Sequence, residues 1–192
     1  MRIELFGQSV ELGGDLNVVA AAALEALRQN GARTDRPSAT QVPDLFVASL
    51  PLLPDRPGEG ASTLEMARRR GDAMQARGSG RIIFLMSAVA ALPTRRQPEF
   101  SAEAAAALAT MRGLAMRLGP QVLVNAVGLG AIGEPVVAGD AAMLTHASVG
   151  RAGTLAEAVA GVLFLADPAN TYTTGQMLVV DGGWSAGYGR NF

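Results

Sequence analysis

Apolar residues fall along this chain in two alternating textures, short unbroken runs and longer stretches in which they recur every three or four positions. The first texture marks buried strands and the second marks helices. "RIELFG" reads as a short strand, and "DLNVVAAAALEALRQNGA" as a helix with Asp15 at its N-cap and Gly31 as its stop. A polar, proline-bearing loop, "TDRPSATQVP", delivers the chain to "DLFVASL", a continuous apolar run; "PLLPDRPGEGAS" is a second loop. Three further pairs follow: helix "STLEMARRRGDAMQARGSG" with strand "RIIFLMSAV", helix "FSAEAAAALATMRGLAMRLG" with strand "QVLVNAVGLG", and helix "TLAEAVAGVLFLAD" with strand "GQMLVVDGG".

Such alternation predicts a parallel sheet covered by helices on both faces. The helix that opens at Phe100 is apolar nearly all round, so it is expected to be buried on two sides. One side faces the sheet and the other a second subunit.

With 192 residues the chain is sized for one domain, residues 1–192, with residues 183–192 as a C-terminal tail. The 49% hydrophobic content and mean hydropathy of +0.23 suit buried parallel sheet or large subunit interfaces. A net charge of -1 gives no electrostatic case for nucleic acid or an anionic membrane. No apolar run is long enough to span a bilayer and the N-terminus does not read as a signal peptide, so a cytoplasmic protein is expected. Cysteine is absent and His146 is the sole histidine, which removes disulfides, thiolate sites and histidine clusters; no metal is expected. Every one of the 16 basic residues is arginine, so no lysine-dependent chemistry is open to the chain.

The last third carries recognisable text. "QVLVNAVGLG" followed by "GRAGTLAEAVAGVLFLADPANTYTTGQMLVVDGG" resembles the C-terminal half of the classical short-chain dehydrogenase/reductase family in order and spacing. The resemblance rests on Asn125, on Gly150 and Arg151 ahead of a capped helix with Glu157, and on the Thr174, Gly175, Gln176 turn that leads to Asp181, Gly182 and Gly183. It extends, weakening, over residues 43 to 183. It implies an α/β fold, a Rossmann-like doubly wound parallel sheet of about five strands. The strands equivalent to the family's second and third are lacking, because few residues separate "NGA" from "DLFVAS". Without those strands the first helix crosses directly to a neighbouring strand, and the right-handed preference would put residues 15 to 30 on the face opposite the family's first helix.

The resemblance also places the family's catalytic groups. Ser87 matches the catalytic serine, while Phe100 stands at the tyrosine and Ala104 at the lysine; no asparagine occurs between Gly31 and Val124 to match the helix asparagine. Loss of a general acid costs on the order of 10²–10⁴ in rate. The dinucleotide turn is degenerate too: Gly7, Gly13 and Gly14 have the wrong spacing, Asp15 would repel a phosphate, and Glu134 takes the place of the threonine that holds the nicotinamide. No cofactor is expected from these residues. Ser87 and His146 also fit plain structural roles, and Arg95 and Arg96 fit a solvated loop.

Three functions follow from these expectations. The first is a non-catalytic subunit, similar to the inactive subunits of heteromeric family dehydrogenases, that pairs with an active NAD(P)-dependent paralogue and stabilises it or shapes its substrate site. Its interface residues would be Phe100, Ala104, Ala107 and Met111, with an exposed Trp184, Tyr188 and Phe192 as tail anchors. The second is altered, non-redox chemistry by Ser87 with Arg95 or Arg96 on an anionic substrate. The third is a homo-oligomeric binding or scaffold protein.

Overall fold

A computed structural model describes residues 2–34, 41–54 and 60–187. Its framework is a five-stranded parallel sheet: β1 (Val10–Gly14), β2 (Leu45–Ser49), β3 (Gly80–Ser87), β4 (Val122–Leu129) and β5 (Met177–Val180), lying side by side in chain order. Between them run α1 (Val18–Gln29), α2 (Gly60–Arg77), α3 (Pro98–Leu118) and α4 (Leu155–Ala166); a short α5 (Trp184–Gly187) follows β5. The register aligns Ser49 with Leu85 and Ser87 with Leu129, so the C-terminal ends of the central strands form one rim.

Alternation along the strands sorts the core into two layers. Ile82, Phe84 and Met86 of β3 point into the layer roofed by α2 and α3, while Ile83 and Leu85 point into the layer roofed by α1 and α4. Helix ends are fixed by the residues the pattern suggests, with one exception. Thr154 and Glu157 form a reciprocal capping box at the start of α4. Asn17 rather than Asp15 caps α1, its side chain accepting from the Ala20 N–H at 2.9 Å. Asp15 instead donates its backbone N–H to the Ser49 carbonyl, continuing the β1–β2 ladder.

The first strand also differs from expectation. "RIELFG" is not a strand; β1 begins at Val10, and Gly7 sits in a turn ahead of it in which the Gln8 N–H donates to Leu5. Polar Gln8, Ser9 and Glu11 masked this strand, since Glu11 is held inside the fold only by an ion pair to Arg70 at 2.7 Å.

α1 packs beside α4, on the face opposite α2 and α3. The direct crossover on which the expectation of a changed face rested does not occur. After α1 the chain first pairs with the outer edge of β1, where Ser9 and Arg33 form a parallel bridge. Stepping outward with its helix on one face has the same hand as stepping inward with α2 or α3 on the other, so the preferred handedness is kept.

Trp184 is another correction. It is 1% exposed and packs with Met143 in the α2/α3 layer, because the turn at Gly182 and Gly183 folds α5 back on the sheet's end. Tyr188 and Phe192 lie outside the described residues. Among the described residues no helix is long and apolar enough to cross a membrane.

Candidate active site

β3 carries Ser87 to the rim of the sheet, where it is 1% exposed. Its Oγ accepts a long hydrogen bond from the Val89 N–H, at 3.4 Å. Among the described residues its own proton has no acceptor. α3 enters at Pro98, which suits the first helical position, and its first turn brings Phe100 to the same place.

Ser87 and Phe100 line one cavity of about 190 Å³, bounded by Leu50 and Pro51 after β2, Leu64 in the first turns of α2, and Ala104 one turn beyond Phe100. Ala104 ends at its methyl group, which is why the gap between α2 and α3 stays open. Among the described residues the only charged group on the lining is Glu103, exposed at the mouth. Sequence spacing held a signal for Glu103, which lies three residues past Phe100 on the same side of α3. Leu50 and Leu64 carried none, because they come from distant segments.

Arg95 and Arg96 do not join this cavity. Both are exposed in the turn before α3, and Arg96 borders a separate void of about 30 Å³ with Trp184 and Asp140. The grouping of Ser87 with these arginines is therefore not formed, because Ser101 Oγ, accepting from the Thr94 N–H at 3.0 Å, folds their turn back on α3. His146 is exposed at the end of the 3₁₀ helix Ala141–His146.

The turn after β1 is where a dinucleotide diphosphate would have to lie, and its residues do not fit one. A Cβ on Gly13 would stand 2.5 Å from Met66 Sδ, and one on Gly14 would meet the Ser49 carbonyl and Thr63. These glycines make room for β2 and α2, not for a ligand. The crevice between β1 and β2 narrows to about 120 Å³, with Asp15 on its wall. Its far side is closed where the Gly139 N–H donates to the Leu52 carbonyl at 2.9 Å. Glu134 is exposed in the adjoining turn and lines neither the crevice nor the Ser87 cavity.

Residues of the C-terminal motif act as fasteners. Asn125, fully buried on β4, donates to the Thr173 carbonyl at 2.7 Å and accepts from the Gln176 N–H at 3.0 Å, which pins the turn ahead of β5. Arg151 grips Glu157 with two hydrogen bonds, and together with the Thr154 cap it lowers the Glu157 carboxyl to about 2.

Helix α3 shows two stripes. Phe100, Ala104, Ala107 and Met111 are buried against the protomer's own sheet and α2, at 7%, 8%, 3% and 0% exposure, so these expected interface residues have little surface to offer a partner. The opposite stripe, Ala102, Ala106, Ala109, Gly113 and Met116, is exposed. Sequence reasoning found the helix and assigned its faces the wrong way round, because both stripes are small and apolar.

Residues 60–185 match the family model described as "Enoyl-(Acyl carrier protein) reductase". The short-chain reductase protein NovJ of Streptomyces niveus is 37% identical over 126 residues, 59% of this chain and 48% of that protein. The L-tagatose-forming galactitol 2-dehydrogenase of Cereibacter sphaeroides is 31% identical over 131 residues, 62% of this chain and 51% of its own. The chain thus spans about half the length of the curated relatives it matches. In fold it is similar to a structure from Beutenbergia cavernae named as an NAD(P)-dependent gluconate 5-dehydrogenase with bound NADP at low occupancy. That match has a TM-score of 0.78 and 24% identity, over 95% of this chain and 98% of the other. The relatives named as a reductase and a dehydrogenase point to an enzyme, which overturns the expectation of an inactive chain. That expectation rested on the losses at Phe100 and Ala104.

Proposed function

Since the chain belongs to the short-chain dehydrogenase/reductase family, we propose that it works as a subunit of an oxidoreductase assembly, paired with a second family member that it stabilises or whose substrate site it shapes. The observation that carries this reading is the exposed stripe on α3. Ala102, Ala106, Ala109, Gly113 and Met116 recur at alternating spacings of four and three, the pattern of a seam between helices. Met116 is 82% exposed.

Gly113 adds weight. A glycine inside a helix costs roughly 0.5–1 kcal/mol relative to alanine, and a Cβ there would meet nothing within the protomer. Its cost is recovered where another helix approaches closely at that point. A homo-oligomer through the same stripe is the second reading, favoured by the small residues along the whole stripe, which would mate with themselves across a two-fold axis.

A partner with the complete family fold would bring its own nucleotide-binding turn to the assembly. The test is co-expression of the tagged chain with a full-length family dehydrogenase from the same genome, followed by affinity purification and an oxidoreductase assay of the eluate. Co-elution in fixed ratio with activity is expected. Elution of the tagged chain without the dehydrogenase would refute the mixed assembly.

A further inference from the structure

Helix α3 carries on its outward stripe a thioether placed unlike the others. Among the described residues Met116 is the one exposed methionine, at 82%. Met74, Met86, Met111 and Met143 are buried. Met66 and Met177 are half-buried, with their sulfurs turned onto β1 and β4: a Cβ on Gly13 would stand 2.5 Å from Met66 Sδ, and one on Gly128 3.0 Å from Met177 Sδ. Gly113, three residues before Met116 on the same stripe, has no side chain to shield it. The sequence holds no cysteine, so no thiol of this chain competes with its thioethers for an oxidant.

We infer that Met116 is a redox-sensitive modification site: a peroxide oxidises its thioether to the sulfoxide in the free chain, and the sulfoxide keeps the α3 stripe from closing on a partner. The inference rests on the proposed function in taking that stripe as a seam. In the step itself the sulfur attacks one peroxide oxygen, an S–O bond forms as the O–O bond breaks, and the second oxygen leaves as water. Sulfur is oxidised by two electrons and the peroxide is reduced by two. The product is polar where the thioether was apolar. In the free chain the new oxygen lies in water, whereas in a closed seam it would stand among Ala109, Gly113 and their counterparts, and burying a polar oxygen there is unfavourable. Oxidation therefore acts against assembly and leaves the fold of the single chain alone. A closed seam in turn covers the sulfur and protects it.

Hydrogen peroxide added to the purified chain, followed by peptide mass mapping, reads the site. Met116 should gain one oxygen on the order of tenfold faster than any of the six other described methionines, with the thermal midpoint of the chain unchanged. The oxidised chain, freed of peroxide with catalase, is then mixed with a full-length family dehydrogenase from the same genome and weighed by native mass spectrometry. Its share in oligomers, mixed or of this chain alone, should fall about tenfold. Met116→Gln should reproduce that loss without peroxide, and Met116→Leu should assemble before and after treatment. Earlier oxidation of another described methionine, or a Met116→Leu chain that loses assembly on treatment, would overturn the inference. The peptide map needs no partner, which separates the two readings. An untreated chain that never enters an oligomer refutes the proposed function and with it the closing of the seam, while undiminished assembly of the oxidised chain refutes this inference alone.

Discussion

Among the described residues Arg33 and Ser9 form a single parallel bridge on the outer edge of β1. The Arg33 N–H donates to the Gln8 carbonyl at 2.8 Å, and the Val10 N–H donates to the Arg33 carbonyl at 2.8 Å. Parallel strands present alternate residues to each neighbour, so Leu12 points its backbone to the same edge as Val10, beyond the bridge. In hydrogen exchange the Val10 and Arg33 amides should be protected while the Leu12 amide exchanges faster. Equal protection of Leu12 would show that the edge is covered and that the pairing extends further than one bridge.

Burial of Trp184 makes it a stability residue. Removing a buried aromatic costs about 3–5 kcal/mol, and Trp184 sits at 1% exposure among Met143 and its neighbours. Trp184→Ala should lower the thermal midpoint of the isolated chain by many degrees. A midpoint within a degree of the parent would restore the reading of an exposed anchor.

Glu157 gives a pH signature. Its carboxyl is lowered to about 2 from an ordinary 4.5 by the Arg151 guanidinium and by the Thr154 N–H and hydroxyl. A depressed carboxyl contributes stability above its ordinary range, and the contribution is lost as pH falls from about 4.5 to about 2. Arg151→Ala should move the Glu157 titration upward toward 4.5 in carbon-detected NMR. An unchanged midpoint would place the cause in the Thr154 cap alone.

The parallel sheet and the four long helices were legible in the sequence, because buried parallel strands are written as unbroken apolar runs such as "IIFLMS" and "VLVNAVGL". β1 was not, since an edge strand carries Glu11 and two glycines where a central strand carries valine and isoleucine. Ser87 and Phe100 could be placed in one site from their separation and the family pattern. The cavity between them could not, because its walls come from Leu50 after β2 and Leu64 on α2, and its volume depends on what Ala104 leaves unfilled. Which stripe of α3 faces out depends on the packing of α2, and no periodicity of alanine alone decides that.

The proposed assembly is tested most directly by native mass spectrometry of the chain co-expressed with a full-length family dehydrogenase from the same genome, run beside an Ala109→Arg variant. Ala109 lies on the exposed stripe, so this change should leave the fold of the single chain intact while placing a charge in the seam. The predicted result is a mixed oligomer containing this 19.7 kDa chain and the dehydrogenase in fixed ratio, lost in the variant. Masses corresponding only to separate species of each chain, or a mixed oligomer untouched by Ala109→Arg, would contradict it.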